Sequence, residues 1–243
     1  MATWVFLHGF GVRGWFWDLA LQSLGAGHRA LTPSFEHENV ETALDSLRSL
    51  LIREAAEGPV HVVGHSLGGI LGALAAASLS SQTVASVTVV SSPWDAGTRN
   101  RLSGFLRFLL AKGLLPGYVV RQRFFGPGVP AQVQKDVFRT AVPEAEELKE
   151  LITRRPWFHV ETLPRPFPHP LLVIGSEADR VVGIEESVAF ALTLGGQLER
   201  IAKARGWGHD DPAVEPSVAQ DLIHRIEKFI SQLPERSSTT AEV

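Results

Sequence analysis

The chain reads as a single α/β domain, a mostly parallel sheet with helices on both faces and a helical cap inserted between two strands. Three observations carry that reading. Short apolar, β-branched segments alternate with longer helix-compatible segments from residue 3 to residue 233, the pattern of parallel strands joined by helical crossovers. The alternation stops only between Trp94 and Pro168, which holds helical stretches and a proline-rich exit but no strand. Finally, the pentapeptide Gly64-His65-Ser66-Leu67-Gly68 links a strand directly to a helix, the setting in which Gly-x-Ser-x-Gly forms a strained turn. At 243 residues the chain is long enough for one full core.

The elements follow in order. Residues 3–7 and 28–32 read as strands, and residues 41–57 as an amphipathic helix. Pro59 opens a β-branched strand over 60–63, and the small residues after Gly68 suit a helix that can approach it closely. Residues 84–91 form another β-branched strand. Beyond the interruption come strands at 170–175 and 197–202, with a helix at 184–194 between them. A last helix spans 216–233, with Pro216 suited to its first turn. The expected organisation is a core of residues 1–93 and 169–233, a helical cap at 94–168, and a disordered polar tail at 234–243.

A serine hydroxyl needs a base to attack at neutral pH, and the base needs a group to orient it. Asp179 follows the strand ending at Gly175, and His209 lies between the last strand and the last helix. Singly, these are a turn aspartate and a loop histidine. Together with Ser66 they stand at three strand ends, where side chains converge on one edge of the sheet.

At these residues the chain resembles the α/β-hydrolase family, as a cap-bearing member running from the third of the usual eight strands to the last helix. The resemblance implies Ser66 as nucleophile, His209 as general base and then acid, and Asp179 as the carboxylate that fixes the imidazole. Asp95 and Glu177 are rival acids, and Asp210 is expected to point elsewhere. His8-Gly9-Phe10-Gly11 matches the family turn that lends a backbone N–H to the oxyanion hole, so the implied donors are Phe10 and Leu67. His8 and His65 are expected to be structural. The mechanism so implied needs no cofactor, and no two of the remaining histidines stand at a metal-ligand spacing. Two features depart from the family: the first two strands are missing, and 32–37 (Thr-Pro-Ser-Phe-Glu-His) replaces an Asp-x-x-Gly-x-Gly turn.

The cap region is basic in an otherwise acidic chain. Residues 95–168 carry 12 Lys and Arg against 7 Asp and Glu, while the whole chain has a net charge of −3. No acid occurs among the six basic residues from Arg99 to Arg123. Such a stretch is either a solvated face with an apolar underside or a docking surface for an acidic partner. Val87-Thr88-Val89-Val90-Ser91-Ser92-Pro93, with Trp15 and Trp17, is similar to the pimeloyl-ACP methyl ester esterases. That resemblance implies a methyl ester on a chain held by acyl carrier protein, with Arg121 and Arg123 as carrier-docking residues. Phe10, Trp15, Leu67, Trp94 and Trp157 are the apolar candidates to line the acyl pocket.

Other classes are disfavoured. The charge gives no reason to expect nucleic acid, no cysteine is present for a disulfide or thiolate, and no apolar run approaches a membrane span. The first strand begins too close to Met1 for a cleavable leader, so a cytoplasmic address is expected. The expected activity is carboxylic ester hydrolysis on a small ester or acyl substrate. C–C bond hydrolysis, lactone opening, and a non-catalytic ligand receptor or interaction protein stay open as alternatives.

Overall fold

Apolar side chains alternate along the strands and enter two separate cores, one on each face of a single sheet. In a computed structural model, which describes residues 1–34, 39–94, 117–142 and 163–234, the strands are β1 (Thr3–Leu7), β2 (Arg29–Leu31), β3 (Val60–His65), β4 (Val84–Val90), β5 (Leu171–Ser176) and β6 (Gln197–Ile201). Val5 and Leu7 of β1 face one core, and Trp4 and Phe6 the other. Leu171 and Val173 of β5 are split from Leu172 and Ile174 in the same way. A strand apolar on both faces must be covered on both, and this is what makes the arrangement three-layered.

The strand order is β2-β1-β3-β4-β5-β6, with every pair parallel. Helices α2 (Val40–Ala55), α3 (Leu67–Ala77) and α6 (Ile184–Leu194) cover one face, and α1 (Asp18–Ser23) and α7 (Pro216–Ser231) the other. Helix α2 buries Val40, Ala43, Leu44, Leu47 and Leu51 along one stripe, and its N-cap Asn39 Oδ1 accepts the Thr42 N–H at 2.8 Å. Both sheet edges are blunted. Strand β2 is three residues long, shorter than the sequence suggests, and β6 carries Glu199 and Arg200. Helix α1 and the 3-10 turn at Gly14–Trp17 have no clear periodicity in sequence; they form because Phe16, Trp17 and Ala20 bury into the second core.

Strand β1 has β2 on one side and β3 on the other, so the chain leaves it and returns in opposite directions. A crevice opens at the carboxyl ends of strands at such a switch point. The carboxyl end of β1 leads into His8-Gly9-Phe10, and that of β3 into Ser66. Between β4 and β5 the described residues form α4 (Gly117–Phe124) and α5 (Ala131–Arg139) and no strand. The 95–116 and 143–162 parts of the expected cap, and the tail from residue 235, lie outside the described residues.

Candidate active site

Strand β3 ends at His65 and α3 starts at Leu67, so Ser66 makes the whole turn. Its φ of 51° and ψ of −118° lie where L-residues rarely sit, a strain of about 1–3 kcal/mol that the surroundings must impose. They do so by contact. A Cβ on Gly64 would fall 2.5 Å from Gly69 Cα, and one on Gly68 would fall 2.5 Å from His8 O. Only glycine at both positions lets strand, helix and the β1 turn close around the serine. Ser66 itself is buried.

Asp179 and His209 meet. His209 Nδ1 donates to Asp179 Oδ2 at 2.8 Å, with the two residues only 2% and 5% exposed. The second Asp179 oxygen accepts N–H groups from Val181 at 2.7 Å and Val182 at 3.0 Å. The carboxylate is thereby clamped by one oxygen and offers the other to the imidazole, which fixes the proton on Nδ1 and leaves Nε2 as an acceptor. Burial lowers the His209 pKa, but the charge and hydrogen bond of Asp179, with the charges of Asp210 and Asp211, outweigh it and raise the pKa above 6.5.

His65, the residue before Ser66, holds the His209 loop. Its Nε2–H donates to the His209 carbonyl at 2.9 Å, and its ring stacks on Phe16 with centroids 4.4 Å apart. The His65 and His209 rings lie 4.6 Å apart. Burial, with the charge of His209 adding, holds the His65 pKa well below 6.5, so it is neutral at pH 7. Among the described residues Ser66 Oγ has no hydrogen-bond partner. Contacts of this kind often tighten only in the reacting complex.

The β1 turn packs on Ser66. A Cβ on Gly9 would sit 3.2 Å from Ser66 Cβ and 2.9 Å from His65 Nδ1. Phe10 N–H donates to no carbonyl among the described residues, and Leu67, first in α3, has no carbonyl one turn behind it. Phe10 follows Gly9 in that turn, and Leu67 follows Ser66 at the N-terminus of α3. His8 braces the turn through Nδ1–H to Gly9 O at 2.9 Å; burial lowers its pKa to about 4, the Gly9 bond opposing and Arg13 adding.

The rivals are placed elsewhere. Glu177 accepts from Arg200 and, at 2.9 Å, from Lys203 N–H on the surface; those bonds hold its pKa low. Asp95 is outside the described residues. Asp210 corrects the expectation that it points away. It is buried, with a carboxylate oxygen within 4.8 Å of ring nitrogens of His65 and His209, and burial pushes its pKa up to about 7 against the opposing charge of His209. Among the described residues these three make the one cluster of ligand-type atoms tight enough to hold a metal ion; His65 Nε2 and His209 Nδ1 are hydrogen-bonded, which leaves His65 Nδ1 and His209 Nε2 as the nitrogens facing it.

The pocket candidates separate. Trp94 is 3% exposed and packs on Phe190, centroids 4.5 Å apart, with its backbone N–H donated to Glu186 Oε2 at 2.9 Å; it is a core residue here. Trp15 lines an open cleft of about 400 Å³ with Arg13, Asp136, Val137 and Thr140. Phe10 is half-buried against the first core, and Trp157 lies outside the described residues. Arg121 and Arg123 stand on α4, but the Arg123 guanidinium donates to Arg180 O at 2.7 Å, beside Asp179. Sequence reasoning missed Phe124, whose ring meets the His209 imidazole edge-on with centroids 5.7 Å apart.

Solved structures share this fold at low identity. A lipase-esterase related protein from Clostridium acetobutylicum ATCC 824 is 15% identical over 94% of each chain, with a TM-score of 0.73. An esterase from Rhodococcus sp. ECU1013 is 17% identical over 96% of this chain and 91% of its own, TM-score 0.72. A meta-cleavage product hydrolase from Pseudomonas fluorescens IP01 is 16% identical over 95% and 91%, TM-score 0.67. No curated protein matches the chain with statistical significance. No helix among the described residues is long and apolar enough to cross a membrane. The sequence model of the alpha/beta hydrolase family matches residues 4–220, most of the chain, and the chain belongs to that family.

Proposed function

We propose that the protein is a serine hydrolase that cleaves carboxylic esters through an acyl-enzyme, with residues 94–168 as a cap over the active site. The observation that carries the reading is the buried Asp179–His209 hydrogen bond, with His209 held through its carbonyl by His65, the neighbour of a strained Ser66. Ser66 Oγ attacks the ester carbonyl carbon as His209 Nε2 takes its proton. The carbonyl oxygen becomes an oxyanion, held by the N–H groups of Phe10 and Leu67, where losing one donor typically costs about 10²–10³ in turnover. Collapse expels the alcohol, which leaves with the proton from His209. Water, deprotonated by His209, then attacks the acyl carbon; the bond to Ser66 Oγ breaks, the acid leaves, and His209 returns the proton to Ser66 Oγ.

The substrate class we favour is a methyl ester on an acyl chain, delivered by acyl carrier protein, with the cytoplasm as the place of action. Support comes from the basic stretch from Arg99 to Arg123 and from the similarity at 87–93. Arg123 is a poor probe of docking, because it also braces the loop of Asp179. C–C bond hydrolysis is the second reading, favoured by the likeness in fold to the meta-cleavage product hydrolase.

Two measurements test this. Incubation with a fluorophosphonate is expected to modify Ser66, seen by peptide mass spectrometry, and an unlabelled serine would speak for a binding protein. A panel of methyl esters, p-nitrophenyl butyrate, lactones and vinylogous diketones is expected to show ester turnover at least about tenfold above the rest. Diketone turnover above ester turnover selects the second reading. Within the same panel, Arg121→Glu is expected to slow carrier-linked esters about tenfold and spare small ones, and equal loss on both counts against docking.

A further inference from the structure

The His209 loop is gripped from two sides. His65 holds the His209 carbonyl, and residues 124–126, at the exit of α4, lie against the other side. Asp210 N–H donates to Phe124 O at 2.8 Å. Asp211 reaches in two directions: Oδ1 accepts the Gly126 N–H at 2.9 Å, and Oδ2 accepts the Gly208 N–H at 2.6 Å. The two segments touch so closely that a Cβ on Gly208 would fall 2.5 Å from Phe125 C. The same stretch also reaches the acid. Arg123 donates to Arg180 O at 2.7 Å, and Arg180 donates back to Gln122 O at 3.3 Å. Residues 122–126 therefore form one strap touching the neighbours of both Asp179 and His209.

A carboxylate that only stiffened its own loop would need the Gly208 bond alone. The bond to Gly126 crosses 85 positions of sequence and ties the strap to the loop. Both N–H groups and the carboxylate are buried, so each depends on the others for its hydrogen bonds. We propose that Asp211 is a positioning residue: by clamping Gly126 and Gly208 together it holds the His209 imidazole in register with Asp179 and Ser66. The proposal rests on the serine-hydrolase reading for the task it gives His209, but the geometry it asserts is measurable without turnover.

Asp211→Ala is expected to lower kcat on p-nitrophenyl butyrate by about 100-fold with KM changed less than about twofold, the signature of a misplaced base. In proton NMR spectra the downfield resonance of His209 Nδ1–H, bonded to Asp179, is expected to broaden or move. Asp211→Asn keeps the volume and one acceptor oxygen and should recover part of kcat, to about tenfold below wild type. An unchanged kcat with an unchanged resonance overturns the proposal, as does a raised KM at wild-type kcat, which would make Asp211 a binding residue. Should the alanine variant not fold, the resonance in Asp211→Asn decides: displaced, it supports the clamp; unmoved, it overturns it. Full activity in Ser66→Ala would end the hydrolase reading, and the Asp211→Asn spectrum would still decide the clamp.

Discussion

Ser66→Ala is expected to lower kcat on p-nitrophenyl butyrate by about 10⁶-fold while leaving the melting temperature almost unchanged. The loss is large because no second nucleophile stands at the elbow: His65 beside the serine is neutral and bonded to the His209 carbonyl. What remains is the catalysis that the two backbone donors and binding provide without an attacking group. The stability expectation comes from the same contacts. Ser66 Oγ has no hydrogen-bond partner among the described residues, so its removal leaves no buried group unsatisfied. Alanine suffers the same positive φ as serine, so the strain is neither released nor increased. Steady-state kinetics paired with a thermal melt reads both quantities, and turnover within about tenfold of wild type would remove Ser66 from the mechanism.

The parts legible in sequence are those governed by local rules. Continuous apolar runs along 3–7 and 170–175 anticipate strands with two apolar faces, and residues 184–194 form a helix with the anticipated bounds. Gly64 and Gly68 are legible because the physical requirement is an absence of atoms, which sequence states outright. Ser66, Asp179 and His209 can be picked out because each follows a strand, and parallel strands deliver their carboxyl ends to one edge.

What sequence could not supply is the partnering between loops. Asp210 and Asp211 are neighbours of the same type after the same histidine, yet one lies beside the His65 and His209 rings and the other binds the Gly126 N–H at the exit of α4. Their directions depend on the path of the 206–213 loop and on where α4 ends, and neither has a periodic signal. Arg123 reads as one more cation in a basic stretch, and only the fold shows its guanidinium on Arg180 O. Trp94 reads as an apolar candidate for the pocket, but Phe190 on α6 draws it into the core. In each case long-range packing overrides a local reading.

Asp179→Asn is expected to lower kcat by about 10⁴-fold, and the reason lies in its other oxygen. Oδ1 accepts two backbone N–H groups, from Val181 and Val182. An asparagine there must turn its carbonyl oxygen to those donors, because its NH₂ cannot accept them. The NH₂ then faces His209 Nδ1 and donates to it, so the imidazole proton is driven to Nε2 and the base presents no lone pair to Ser66. The pH profile carries a second signature. In the wild type kcat/KM rises with pH as His209 loses its proton, through a pKa raised above 6.5. The substitution removes the charge and the acceptor that raise it, while burial, which lowers it, stays. The acid limb should therefore move to lower pH, and the deficit against wild type should narrow as pH falls. Glu177→Gln, which loses only surface contacts with Arg200 and Lys203, should stay within about twofold of wild type. If Asp179→Asn keeps wild-type turnover and an unshifted acid limb, His209 is oriented by a different carboxylate, and Asp95 becomes the residue to replace.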